Sequence, residues 1–338
     1  MSEYEPIIPL VSICVPVYGV ERFIEQCAES LFNQTYRNIE YIFVNDCTKD
    51  KSIEILKTVL ARYPNRKSQV HIINHITNQK LGNTRNTAVA AAEGEFIIHV
   101  DSDDYIDLNL VEKCVERQMN TNADIVYFDG IKYTKTKREI LKRPDKPNKD
   151  QMLLETLRHS IPVSIWGLMI RKSLYDKNGI KVENNVNCSE DYMVTARLFY
   201  YAGKLAKIKG VYYNYNCTNE DSITTKRGIN CVVDDLTVVD FLKNFYHDKE
   251  DKLREALKLG ILELYTGDII VSALNKNKYY FKELCNRLKE MDKSILKLIP
   301  SKFSIIRRMP PYAAYIYCNY GLSLKARIRN FELAKNNA

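Results

Sequence analysis

Three carboxylates, Asp101, Asp103 and Asp104, fall within four positions directly after the apolar run Phe96-Ile-Ile-His-Val100. Acids so close together at the end of a buried strand repel one another unless a cation neutralises them. Hard oxygen ligands suit Mg²⁺ or Mn²⁺, ions that bridge phosphate oxygens. Strand ends are also where open α/β sheets bind ligands. The cluster therefore points to metal-assisted chemistry on a phosphorylated substrate. From Asp101 to Glu112 the acids are spaced superficially like a calcium loop. The sixth position, however, is Ile106 where glycine is required, and a strand rather than a helix precedes it. The bland alternative is a set of surface acids capping the next helix, a role that suits Asp107.

Three further segments carry reactive side chains. Asp46, in Val44-Asn-Asp-Cys-Thr-Lys-Asp50, ends a second apolar run. Its carboxylate can accept hydrogen bonds from a nucleobase edge or a ribose, or can simply hold a turn. The polar stretch Asn78 to Asn86 enters a helix. Gly82 there permits tight backbone approach, and Arg85 with the helix N-terminus offers a cationic face to phosphate, against the alternative of an exposed arginine at an ordinary turn. Glu190 and Asp191 open a later helix, where acids favour the macrodipole. Metal ligands cannot also act as the base, and this pair is the best placed to supply one.

The elements that must position these residues follow from the apolar pattern. Val11 to Val17 reads as a buried strand, followed by a helix through Phe23, Ile24, Cys27, Leu31 and Phe32. Ile39–Val44 and Val70–Ile73 are the second and third strands, separated by a helix marked by Ile53, Leu56 and Leu60. A helix over about 83–93 is expected to end at Gly94 as a left-handed cap. Phe96–Val100, helix 108–119 and strand Ala123–Phe128 complete an alternating series. Alternation of this kind predicts an α/β fold with a mostly parallel sheet flanked by helices. Residues 132–149 are polar and rich in Lys and Pro, the composition of a hairpin or loop. A helix over 189–201 and Tyr-rich strands over 205–215 come next, and from about Gly228 the pattern is helical. The domains expected are 1–225, which carries the reactive residues, and 226–338, a helical, basic extension.

With 338 residues, 45% hydrophobic and 27% charged, the chain has the composition of a globular protein. Its nine cysteines show no CxxC or zinc spacing, so buried reduced thiols and a cytoplasmic location are expected. No run approaches the ~20 apolar residues of a membrane span, and the polar, acidic N-terminus is not a secretory signal. Residues 275–338 hold 14 Lys/Arg against 4 Asp/Glu, a net +10 that leaves the remaining 274 residues at −2 of the chain's +8.

Taken together, Val11-Ser-Ile-Cys-Val-Pro-Val-Tyr-Gly19, Val44 to Asp50, Asn78 to Asn86, Ala92-Glu-Gly-Glu-Phe96 and Asp101-Ser-Asp-Asp104 resemble the family 2 glycosyltransferases, inverting enzymes of Rossmann-like GT-A fold. The order and spacing of these segments over residues 10–105 carry the resemblance. It implies that Pro16, Val17 and Tyr18 line the nucleotide site, that Asp46 recognises the base and that Arg85 lies near the diphosphate. It also implies that Asp101, Ser102 and Asp103 form the DxD motif, with Asp103 or Asp104 reaching an Mn²⁺ or Mg²⁺ ion. Glu190-Asp191 matches the acidic pair that supplies the base, usually its second member, and Trp166 looks like part of an acceptor-side segment. Asn45 stands where the family commonly has Asp, Gly19 where Asn is common, and Cys47-Thr-Lys where Gly-Ser-Thr is usual.

The partners this implies are a nucleotide-sugar donor (by family habit a UDP-sugar), a glycan or lipid-linked acceptor and, in a homodimer, a second copy of the chain. The stretch Ser301–Tyr317, followed by Lys325, Arg327 and Arg329, mixes aromatic, apolar and basic residues as a segment lying on an anionic membrane does. A peripheral place on the inner face of the cytoplasmic membrane and a role in bacterial surface polysaccharide synthesis fit that mixture. Nucleic acid is not an expected partner, since the acids would repel it. A sugar-phosphate nucleotidyltransferase would need a Gly-rich, Lys-bearing loop after the first strand, and Pro-Val-Tyr-Gly-Val-Glu stands there. A catalytically inactive nucleotide-binding scaffold is the remaining alternative.

Overall fold

The computed structural model describes residues 8–291. Two compact units divide the chain: residues 1–156 with 161–225, and residues 157–160 with 226–338. The expected membrane-facing stretch around Ser301–Tyr317 lies outside the described residues.

The first unit opens with β1 (Val11–Val17), α1 (Ile24–Phe32), β2 (Ile39–Asn45), α2 (Ser52–Ala61), β3 (Val70–Asn74), α3 (Lys80–Ala91) and β4 (Phe96–His99). All seven residues of β1 are buried, as are six of β2. That explains why their sequences run apolar rather than alternating: a parallel strand covered on both faces has no solvent side. Strand β1 pairs in parallel with β2 and β4, and β2 with β3. The parallel pairing with β4 stops at Cys14 and His99, so Pro16, which has no N–H to donate, sits beyond it.

The rest of the unit comprises β5 (Tyr105–Ile106), α4 (Leu110–Thr121), β6 (Ile125–Tyr133), β7 (Arg138–Leu141), α5 (Lys149–Leu157), β8 (Leu168–Arg171), α6 (Lys172–Asn178), α7 (Glu190–Tyr201) and β9 (Leu205–Asn216). The sheet order is β3-β2-β1-β4-β8-β6-β9-β5, with β7 on β6. The parallel arrangement expected from the sequence holds for β1 to β4. Beyond it β8 enters antiparallel between β4 and β6, and β6 and β9 are parallel to each other, so the whole is a mixed α/β sheet. The polar stretch 132–149 begins with the β6–β7 hairpin.

Gly94 does not take the left-handed conformation expected of it. It is required because a Cβ there would lie 2.4 Å from the Ser12 hydroxyl oxygen. Its N–H donates to Ser12 Oγ and to Glu40 Oε1, a buried acid that also accepts from the Glu93 N–H. This polar knot fastens the turn between α3 and β4, and with it the start of the strand that presents the acids.

The second unit is helical: α8 (Ile229–Tyr246), α9 (Asp251–Leu274) and α10 (Lys278–Glu290), with α9 packed against both others. Val232, Leu236, Val239 and Leu242 form the buried stripe of α8. Among the described residues no helix is long and apolar enough to cross a membrane. Six cysteines (14, 27, 47, 114, 217 and 285) are free thiols as expected, whereas Cys188 of the first unit is disulfide-bonded, against the expectation of reduced thiols.

Candidate active site

The sheet order places the carboxyl ends of β1, β2 and β4 side by side, and the candidate residues follow those ends directly. The direction of chain departure changes between β1 and β4, where doubly wound sheets form a binding crevice.

At its centre is Arg85, on α3 and only 4% exposed. Its guanidinium lies 3.0 Å from Asp101, 3.4 Å from Glu190 and 3.6 Å from Asp191. One cation thus joins the acid loop after β4 to the acidic pair that opens α7. The sequence suggested a phosphate-facing arginine, but in the structure this guanidinium is engaged by three acids. Burial pushes the Glu190 carboxyl up to about 8, with Asp191 next to it adding to the effect. Burial also raises Asp191, against the opposing pull of Arg85. Asp191 is held in place by the Ile165 N–H at 3.2 Å.

The three acids of the loop have different surroundings. Asp104 is 1% exposed, accepting from the Tyr213 hydroxyl at 2.8 Å and the Asn216 N–H at 2.7 Å. It is an internal anchor and does not face a ligand as expected. The Tyr213 hydroxyl in turn accepts from the Asp101 N–H, so one phenol fixes both ends of the loop. Asp103 accepts from the Asn219 side-chain amide at 2.8 Å. Burial, with Asp101 beside it, pushes the Asp103 carboxyl up to about 6. Burial and the other two acids hold Asp104 well above the usual range. Among the described residues no three His, Cys, Asp or Glu side chains converge to hold a metal ion, so the expected three-carboxylate set is not assembled. The chemistry still suits a hard divalent cation. Mg²⁺ is usually held by one or two carboxylates and completed by substrate phosphates, and here a crowded, under-neutralised carboxylate pair is present.

On the nucleotide side, Pro16 and Val17 are buried, while Tyr18 is 54% exposed. Ser102 is also buried. Asp46 is buried and accepts from the N–H groups of Gln79 and Lys80, at 2.7 and 2.9 Å, with the His75 ring nitrogen at 2.8 Å. It therefore holds the entry to α3, and of the roughly four acceptor positions of a carboxylate about one is left. Cys47, where the family usually has glycine, has φ 59, and Gly19, where Asn is common, has φ 68. Both positions need the left-handed conformation that Gly and Asn reach most easily, so the second exchange is conservative and the first is strained. Lys80 and Ser189, beside Asp46 and Glu190, are left-handed as well. Gly82 does allow a close approach, but of the protein's own chain: a Cβ there would lie 2.5 Å from the Val186 carbonyl oxygen.

Trp166 is 5% exposed and stacks on Tyr213 with ring centroids 4.3 Å apart. A Cβ on Gly130 would come within 2.7 Å of the indole. The ring offers no open face to an acceptor. Its contribution is to seat Tyr213 and, through Ile165, to lie next to Asp191. Tyr213, Asn216 and Asn219 were missed in the sequence, where the Tyr-rich segment signalled only a strand.

Comparison with known proteins places this geometry. The S. aureus TarS 1–349 structure in complex with UDP-GlcNAc superposes with a TM-score of 0.70 at 17% identity, covering 91% of this chain and 89% of that one. This defines the fold as GT-A. Residues 12–178 match Glycosyl transferase family 2, and the chain belongs to that family. EpsJ of Bacillus subtilis (strain 168), an uncharacterised glycosyltransferase, is 31% identical over 224 residues, 64% of this chain and 63% of EpsJ. The poly(ribitol-phosphate) beta-glucosyltransferase of Bacillus spizizenii is 28% identical over 210 residues, 61% of this chain and 32% of that enzyme. The chain thus spans less than two thirds of either relative.

Proposed function

We propose that the protein transfers a sugar from a nucleoside-diphosphate sugar, a UDP-sugar in the first instance, to a hydroxyl of a glycan or lipid-linked acceptor in bacterial surface polysaccharide synthesis. The observation that carries this reading is the meeting of Asp191 with Asp101 across Arg85 at the carboxyl end of the sheet. Asp191, as the base, and the acid loop are then within one side chain of each other. The family match supports transfer chemistry, and the UDP-GlcNAc held by TarS supports the donor class.

In this reading Asp191 takes the proton from the acceptor hydroxyl as that oxygen attacks the anomeric carbon, while the bond from that carbon to the diphosphate breaks. One displacement inverts the anomeric centre. Burial raises the basicity of Asp191, and Arg85 keeps its charge from being prohibitive. Asp103, with Asp101, would hold Mn²⁺ or Mg²⁺, which supplies neutralisation of the departing diphosphate. Tyr18 would meet the base. The basic C-terminal region would bring the enzyme to an anionic membrane carrying the acceptor.

The test is turnover with a panel of UDP-sugars, read as UDP release. Asp191→Asn should lower kcat by roughly 10²–10⁴ while leaving UDP affinity intact. Turnover surviving in that variant would remove Asp191 from the role.

A further inference from the structure

The polar stretch 132–149 sends one of its cations into the protein. Arg143 is 4% exposed, although the residues around it are mostly at the surface. Its Nη1 donates to the Phe128 carbonyl oxygen at 3.2 Å. Its Nη2 lies 2.7 Å from the Ser164 carbonyl oxygen, 3.1 Å from Ser164 Oγ and 3.4 Å from the Pro162 carbonyl oxygen. The main chain of Arg143 is fixed as well, its N–H donating to Asp129 Oδ1 and its carbonyl oxygen accepting from Lys207 Nζ. The guanidinium also lies over the Trp166 ring, and a Cβ on Gly167 would overlap Nη1. Burial lowers Arg143 to about 10, against the pull of Asp129 and Asp191, so it is charged at neutral pH. A charge buried against main-chain carbonyls is a costly way to hold a loop. The loop held here, 162–167, is the one that meets the proposed base. The Ile165 N–H donates to Asp191 Oδ2 at 3.2 Å, and the Val163 carbonyl oxygen accepts from Thr195 Oγ1, one turn along α7.

We propose that Arg143 is a positioning residue for Asp191: its guanidinium fixes residues 162–167 so that the Ile165 N–H holds the Asp191 carboxylate in one orientation. The inference rests on the role given to Asp191 in the proposed function. Three of the four acceptors around the guanidinium belong to Pro162 and Ser164, so the side chain is spent on this segment more than on its own hairpin. Its planar fork reaches carbonyl oxygens in two directions at once, which the point charge of a lysine does not. Gly167 leaves the space that the guanidinium fills.

The test is Arg143→Met in the full chain, read in two ways. Sugar transfer should lose about 10²-fold in kcat, the scale of a misplaced reacting group, with the KM for the donor little changed. In the Asp191→Asn background the same substitution should lower kcat by less than about twofold, because two residues that act as one unit are not additive. Amide hydrogen exchange is independent of turnover. The Ile165 N–H should exchange at least about tenfold faster in Arg143→Met, while the amides of β1 exchange as in the parent, which a general loss of stability would not produce. Arg143→Lys should recover only part of either loss. Unchanged protection of Ile165, or a kcat loss that adds in full to that of Asp191→Asn, would overturn the inference. Turnover surviving in Asp191→Asn would remove the base assignment instead, and the Ile165 exchange would still decide whether Arg143 sets this segment. Should Arg143→Met not fold, Gly167→Ala, whose methyl displaces the guanidinium, should show the same two losses, and their absence there would overturn the inference.

Discussion

Two arginines each gather more carboxylates than one positive charge can balance, and the two units put that arrangement to different uses. In the α/β unit, Arg85 meets Asp101, Glu190 and Asp191, and the side chains of Asp101 and Asp191 remain 23% and 18% exposed. In the helical unit, Arg227 meets Asp235 and Asp268, whose side chains are 0% exposed. The first cluster sits at strand ends and a helix start, where a ligand can reach it. The second ties α8 to α9 through two carboxylates with no exposed surface, bridged by an arginine that is 34% exposed. The same chemistry is a site where substrate has access and a staple where it does not. A buried arginine among acids is therefore no evidence of catalysis until the exposure of the acids is known.

Arginine removal should separate the two most strongly. Arg227→Met leaves the buried Asp235 carboxylate, beside a protonated Asp268, without its cation, and breaking such a pair costs roughly 3–5 kcal/mol. Urea unfolding should show that loss with little change in turnover per folded molecule. Arg85→Met should do the reverse, since its acids can take up protons and water, lowering turnover by roughly 10²-fold or more with a smaller stability loss. Equal stability losses in both would break the distinction.

A second contrast is in pH. Burial, with Asp235 beside it, raises Asp268 from its ordinary 3.8 to about 8. The folded state then holds a proton that the unfolded state releases above 3.8. The contribution is greatest below that value, is lost progressively as pH rises towards about 8, and is level above. Glu190 and Asp103 add slopes of the same sign in the other unit. Asp268→Asn should therefore flatten, without abolishing, the decline in stability between pH 4 and 8. An unchanged slope would show that Asp268 is ionised in the fold.

The smallest effect sharpens the site side. Cys47 is left-handed at a turn against the nucleotide region, a conformation that costs a non-glycine residue about 1–2 kcal/mol. Cys47→Gly should raise stability by about 1 kcal/mol, less whatever the thiol contact to the Ile76 carbonyl contributes, in a thermal melt. A lower melting temperature would mean that this contact, or the greater freedom of glycine in the unfolded chain, outweighs the relief of strain.

The strands that lead into Tyr18, Asp46 and Asp101 are legible because a strand buried on both faces must be apolar and must stop where polar residues begin. The acidic pair opening α7 was legible as a helix start. That Arg85 reaches it was not, since 105 residues separate Arg85 from Glu190 and no local pattern reports such a contact. The same holds for Tyr213 and Asn216, which secure Asp104 from 109 and 112 residues away. Gly94 and Gly82 were recognised as special, but the close packing each serves is a property of the folded chain. Asp46 was ambiguous in sequence between ligand and cap, and the fold spends most of its acceptors on α3.

The most direct test of the central claim is calorimetric titration of UDP into the full chain, with and without Mn²⁺, repeated on Asp103→Ala. Binding that requires Mn²⁺ and disappears in the variant is the result expected of a nucleotide-sugar site built on the acid loop. Absence of binding in either condition, with GDP, CDP and TDP equally silent, would contradict it.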